Sequence, residues 1–102
     1  NRELECLDKT LPLAFEKLAP DGVLAVISFH SIEDRIVKRF FKKLAGRPEH
    51  KNDNRTQDQR KVLAEIITRK PIIPSDQEIL DNPRARSAKL RVIRKHSEGG
   101  LV

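Results

Sequence analysis

Leu4, Leu7, Leu11, Ala14, Phe15 and Leu18 recur at helical spacing, which predicts an amphipathic helix over residues 2–19. Pro12 lies inside that pattern and is expected to kink the helix or split it in two. Pro20-Asp21-Gly22 reads as a turn, with Gly22 free to take positive φ. Val23 to Ile27 is an unbroken apolar run closed by Ser28. Apolar residues without alternation predict a strand covered on both faces, as in the centre of a parallel α/β sheet. Ser31 is then placed to N-cap a helix, with Glu33 and Asp34 in its first turn to complement the dipole. Ile32, Ile36, Val37, Phe40, Phe41 and Leu44 form the buried stripe of that helix, which Gly46 and Pro48 end.

The second half changes character. Residues 47–60 contain no aliphatic side chain and many Asn, Asp, Gln, Lys and Arg, the composition of a long solvated loop that is mobile or docks on a partner. Val62 to Arg69 predicts a second strand, with Val62, Ala64, Ile66 and Thr68 alternating against Leu63, Glu65, Ile67 and Arg69. Pro71 and Pro74 end it. Ser75-Asp76-Gln77-Glu78 is a capping-box start for a short helix that Asn82-Pro83 closes. Ala88 to Arg94 predicts a third strand, Leu90 and Val92 on one face and Lys89, Arg91 and Ile93 on the other. Residues 96–102, with Gly99-Gly100, read as a flexible tail. Strands two and three are expected to pair antiparallel at a sheet edge. Strand one should lie parallel to a neighbour that these residues do not supply. The expectation is the C-terminal portion of a larger α/β domain, open to self-association through its exposed sheet edge.

Composition narrows the setting. With 37% apolar residues, four Phe and no Trp, Tyr or Met, the core must be built mostly from Leu, Ile, Val and Ala. A formal net charge of +6 favours polyanionic partners, RNA or DNA before membranes, although charge alone serves solubility equally well. Cys6 is the single cysteine, which excludes a disulfide framework and a cysteine-based zinc site and fits a reducing cytoplasm. Its place within the Leu4, Leu7, Leu11 stripe predicts a small buried hydrophobe rather than a nucleophile. No apolar stretch approaches the ~20 residues of a membrane span.

Two segments could carry chemistry. In parallel α/β sheets ligands bind at the carboxyl ends of strands, where Ser28, His30 and Ser31 would stand. His30 could accept a proton or hold a polar group there. On these residues alone the simpler account is favoured, because N-capping explains Ser31 fully. His30, His50 and His96 lack metal-ligand spacing, so no metal is expected. The second segment is Asn82-Pro83-Arg84-Ala85-Arg86-Ser87, a proline-fixed turn whose guanidinium groups suit phosphate or carboxylate. Lys89, Arg91, Arg94 and Lys95 extend the positive stripe. No aromatic interleaves with it, which favours backbone contact over base stacking. A charged, aggregation-resistant edge strand would explain Lys89 and Arg91 equally well, but not Arg84 and Arg86 in the turn. No glycine-rich phosphate loop is present, since Gly22, Gly46, Gly99 and Gly100 do not stand between a strand and a helix in the required pattern.

Asn1 to Leu4, Val26 to Lys38 and Asn82 to Arg91 together resemble the MraW/RsmH family, and the resemblance spans residues 1–95. It implies an S-adenosylmethionine-dependent methyltransferase acting on the N4 amino group of a cytosine in bacterial 16S ribosomal RNA, free or in the small ribosomal subunit. It also implies a class I, Rossmann-like methyltransferase sheet of which residues 1–95 are the C-terminal part, with one parallel central strand, an antiparallel edge pair and flanking helices. Residues 47–60 would be a variable loop. S-adenosylmethionine would be bound mainly by residues outside this chain, and the chain alone is expected to be inactive. With the resemblance, function is favoured over capping: His30 and Ser31 would line the acceptor side of the catalytic pocket. Asn82, Arg84, Arg86 and Ser87 would hold RNA near the same edge. A non-catalytic basic RNA-binding module is the competing reading.

Overall fold

The computed structural model describes residues 2–48 and 61–97. Helix α1 runs over Arg2–Glu16, strand β1 over Val23–Ser28, helix α2 over Ser31–Leu44 and strand β2 over Ala64–Ile66. Helix α3 (Asp76–Asp81), a 3-10 turn (Pro83–Ser87) and strand β3 (Lys89–Lys95) complete the order. The result is a small α/β unit: a three-stranded sheet in the order β1-β3-β2, with β3 antiparallel to both neighbours.

This topology corrects one expectation and keeps another. Strands β2 and β3 pair antiparallel, as their alternation predicts. Strand β1 is not flanked by a parallel strand among the described residues; its partner is β3, in register from Val23↔Arg94 to Ser28↔Lys89. Because both outer strands oppose β3, β1 and β2 run parallel to each other with β3 between them, and α2 is the crossover linking them. The apolar run of β1 exceeds what this packing uses. Leu24 and Val26 pack on the core, whereas Val23 and Ile27 are more than half exposed on the other face.

The core lies between the helices and that one face, built from Leu11, Phe15, Val37, Phe41, Leu44 and Ile93 with Ala64. Phe15 meets Phe40 edge to face at 6.4 Å between ring centroids, joining α1 to α2. Helix α1 continues through Pro12 without splitting and ends at Glu16, short of the expected residue 19. Cys6 is exposed, not buried: the core-facing side of α1 belongs to Leu11 and Phe15, with Leu7 at its margin. Lys95 anchors the end of α1, donating from Nζ to the carbonyls of Phe15, Glu16 and Leu18 at 3.4, 3.3 and 3.0 Å and lying 5.2 Å above the Phe15 ring.

Local turns follow their residues with one exchange. Asp21, not Gly22, takes positive φ (67°). Gly22 is needed for space, since a Cβ there would meet the Ala19 carbonyl oxygen at 2.8 Å. At the end of α2, Gly46 takes φ 70° and its N–H donates to the Lys43 carbonyl, while the Arg47 N–H donates to that of Lys42 at 2.8 Å. This is the Schellman closure expected of a glycine at that position. Ile32, placed in the buried stripe by its spacing, is 53% exposed because α2 rolls its Asp34–Val37–Phe41 side onto the sheet. Strand β2 is shorter than the alternation over 62–69, yet Ala64 and Thr68 are buried and Leu63, Glu65, Ile67 and Arg69 exposed, so the alternation holds. Ser75 and Glu78 form the reciprocal capping box. His96 is tied down by its N–H donating to the Leu63 carbonyl at 3.0 Å, so a free tail does not begin there. The rest of the loop at 49–60 and residues 98–102 lie outside the described residues. No described helix is long and apolar enough to cross a membrane.

Candidate functional site

The β1–β3 register decides which candidate residues meet. Ser28 at the carboxyl end of β1 lies opposite Lys89 at the start of β3. The turn that leaves β1 (Phe29-His30-Ser31) and the turn that enters β3 (Asn82 to Ser87) therefore flank one end of the sheet. Residues more than 50 positions apart in sequence become one surface because β3 returns antiparallel beside β1.

At the first turn, His30 is the N-cap of α2, with extended backbone (φ −131°, ψ 146°) and no side-chain capping bond. Ser31 is the first helical residue rather than the cap. Glu33 does the local work instead, its Oε1 accepting the Phe29 N–H at 3.1 Å. The capping role that would account for Ser31 is thus absent, and the exposed His30 and Ser31 side chains make no hydrogen bond to another described residue. Ser28, in contrast, is 5% exposed and faces the interior, so it does not join them. Phe29 and Ile32 leave apolar surface beside these polar groups, at 49% and 53% exposure.

The second turn is rigid. Asn82 Oδ1 accepts the Arg84 N–H at 3.2 Å, and the Asn82 carbonyl accepts the Ala85 N–H at 2.9 Å. Behind it, Ile72 and Leu90 exchange backbone hydrogen bonds of 2.8 and 2.9 Å, fixing the segment before α3 against the start of β3. Arg84, Arg86 and Ser87 are exposed. Asn82 spends its side-chain oxygen on the turn, while its side-chain amide N–H groups have no partner among the described residues. In a 3-10 turn, residues two apart point ~120° from each other, so Arg84 and Arg86 leave the turn in different directions.

Asp34 and Arg91 form a pair beside these turns that local pattern does not reveal. Arg91 Nε and Nη2 donate to Asp34 Oδ1 and Oδ2 at 2.7 and 2.9 Å, and Lys89 Nζ lies 3.9 Å from Oδ2. The Arg91 hydrogen bond and charge, helped by Lys89 and Lys38, hold the Asp34 carboxyl below its ordinary value of 3.8 against the opposing effect of burial. The pair locks the first turn of α2, and with it His30 and Ser31, onto β3. The only sequence signal was an arginine on the Ile93 face of a strand. His96 follows the opposite end of β3 from His30, no group of three metal-ligating side chains occurs among the described residues, and His50 lies outside them.

The sequence pattern of the MraW methylase family matches residues 1–96. The chain belongs to that family. It is 50% identical over 101 residues to the ribosomal RNA small subunit methyltransferase H of Heliobacterium mobile, covering 93% of this chain and 31% of that protein. Similar matches are the proteins of the same name from Magnetococcus marinus (50% over 99 residues, 93% and 32%) and Streptococcus equi subsp. equi (45% over 95 residues, 93% and 30%). The chain thus spans about a third of the length of these relatives.

A methyltransferase family implies S-adenosylmethionine, and the described residues do not by themselves fit it. Its ribose diol calls for a free carboxylate at the strand end, as in other nucleotide sites. Here Glu33 is taken by the Phe29 amide, Asp34 by Arg91 and Glu78 by the Ser75 amide. No glycine frees a run of backbone amides at this end, since Gly22 precedes β1.

Proposed function

We propose that residues 1–95 are the C-terminal, substrate-facing part of an S-adenosylmethionine-dependent methyltransferase that modifies the N4 amino group of a cytosine in 16S ribosomal RNA, with the cofactor held by residues outside this chain. The observation that carries the reading is the Ser28↔Lys89 register, which sets the His30-Ser31 turn and the Arg84–Ser87 turn side by side. Family membership and the names of the relatives support the reaction class and an RNA of the small subunit. Among the described residues β1 has no partner on its outer edge and exposes Val23 and Ile27, which supports a place within a larger sheet, β1 running parallel to a further strand as in a class I methyltransferase.

The acceptor chemistry suits these side chains. A cytosine amino nitrogen is a weak nucleophile because its lone pair is delocalised into the ring, so transfer depends on positioning and on an acceptor for the N–H. His30 and Ser31, whose side chains make no capping bond, supply that acceptor side, with the imidazole nitrogen drawing on the amino hydrogen as the new bond forms. The exposed Phe29 ring offers a planar surface to an unstacked base. Arg84 and Arg86 grip flanking phosphates bidentately, with Ser87 donating beside them and Asn82 holding the turn. Positioning of the base supplies most of what these residues contribute.

The test is transfer of a labelled methyl group to small-subunit RNA by the whole protein that carries this chain, followed by digestion to nucleosides. N4-methylcytosine is the expected product. Label on another atom, or none with the RNA bound, would assign a different reaction or the binding module.

A further inference from the structure

A second cluster of cations lies away from the turns, in a cleft of about 260 Å³ between α2 and the β2–β3 side of the sheet. Lys38 and Lys42 line it from α2, Arg47 from the turn after α2, Arg69 from beyond β2 and Arg91 from β3, with Thr68 among them. Phe41 and Ile66 form its apolar floor. Among the described residues no carboxylate pairs with Lys38, Lys42, Arg47 or Arg69 within 4.0 Å. The carboxylate nearest the cleft, Asp34, is already engaged by Arg91 and Lys89.

This arrangement works against the stability of the chain standing alone. Lys38 and Lys42 are four apart on one helix face, a like-charged spacing that weakens a helix by a few tenths of a kcal/mol. Burial first, then the charges of Lys38, Arg91 and Arg47, push the Lys42 ammonium below its ordinary value. The Schellman closure brings Arg47 to this side by fixing its N–H on the Lys42 carbonyl. Thr68 Oγ1 accepts the Val92 N–H at 3.0 Å, which leaves the hydroxyl hydrogen free to donate. Arg91 keeps one guanidinium nitrogen uncommitted to Asp34. Among the described residues, the cleft is thus a set of donors and positive charges with no carboxylate in its lining.

We infer that this cleft binds the phosphodiester backbone of RNA, as a phosphate site separate from the Arg84–Arg86 turn. Its volume lies below the ~300–1,000 Å³ of small-molecule pockets and suits a phosphate with part of its sugar, not a whole cofactor. None of its described lining residues is a carboxylate that could hold a ribose diol. The cations are strung from α2 to β3, and the Lys38–Lys42 step of ~6 Å matches successive phosphates on one strand better than a single compact anion. Arg91 is the third residue of β3, ~7 Å at strand rise from Lys89 where the turn enters the strand, so an RNA strand held at the turns reaches the cleft within a few nucleotides. The site rests on the RNA reading above and extends it from the target base to its flank.

The test compares Lys42→Gln/Arg69→Gln in the whole protein with Lys9→Gln/Lys17→Gln, which removes two exposed charges from α1 and the turn that follows it. Binding of a single-stranded small-subunit RNA fragment is measured against salt, with thermal unfolding as the check on folding. The cleft variant is expected to bind several-fold more weakly, with a log–log salt slope shallower by ~0.7 for each phosphate it no longer holds, and the α1 variant to match wild type. Equal slopes in both variants overturn the site. Displacement of RNA by low-millimolar inorganic phosphate or by polyglutamate also overturns it, in favour of a free anion or an acidic protein segment. Should Lys42→Gln/Arg69→Gln unfold, Arg69→Gln alone, at an exposed position, gives the same comparison. Weakened binding without any methylation by wild type would retain the cleft and reject the proposed reaction.

Discussion

Asp34 in α2 and Arg91 in β3, 57 positions apart, share two hydrogen bonds of 2.7 and 2.9 Å with side chains only 9% and 11% exposed. Removing one partner of such a pair leaves the other charge buried, at a cost of about 3 kcal/mol. Arg91→Ala is therefore expected to lower the unfolding midpoint by several degrees, and Asp34→Asn to do much of the same. The pH profile carries the sign. The Asp34 carboxyl sits below its ordinary value in the fold, so its contribution is complete above pH ~4 and fades as pH falls through the depressed folded value. Denaturant titrations at pH 7 and pH 3 should show a smaller loss on acidification for Asp34→Asn than for wild type.

Lys95 closes the far end of the sheet by capping α1. Lys95→Met keeps the stem over Phe15 but removes three donations to the α1 terminus, and ~1–2 kcal/mol of stability should go with them. Hydrogen exchange resolved by residue is expected to speed up at Lys17 and Leu18 first, whose N–H groups close that terminus.

Asp34 is paired with Arg91, Glu33 and Glu78 already accept backbone amides, and neither described glycine stands in a turn from a strand to a helix, so the 102-residue chain by itself should give no calorimetric signal with S-adenosylmethionine. Micromolar affinity would show that the described edge holds a cofactor after all.

Arg84 and Arg86 are expected to act as phosphate contacts. Arg84→Ala/Arg86→Ala in the whole protein should weaken RNA binding across sequences and flatten its salt dependence by ~0.7 for each phosphate released. An unaltered slope would leave the turn a structural role only.

What could be read from sequence was local. Strand β1 came out with correct bounds because five apolar residues closed by Ser28 suit nothing else, and the Ser75–Glu78 box was legible because its four residues contain the whole interaction. The antiparallel β2–β3 pair was legible from its alternation, but the partner of β1 was not. Nothing between Val23 and Ser28 says that β3 will occupy the neighbouring place, and that insertion brings the turn after Ser28 and the turn before Lys89 to one end of the sheet. Arg91 looked like a solvated edge charge because β3 was expected at the sheet edge; as the central strand it turns Arg91 toward Asp34. Cys6 shared helical spacing with Leu7 but not its side of α1, a difference of ~100° that a short stripe interrupted by proline does not resolve.

The proposed function turns on the loop leaving β1 facing the reacting base. Single-turnover methylation by His30→Ala in the whole protein, with RNA affinity measured in parallel, probes that placement. The expected result is a methylation rate reduced ~100-fold or more with RNA affinity within a factor of two or three, as for loss of a group acting on the proton in flight. Unchanged turnover would remove His30 from the site and contradict the proposed placement.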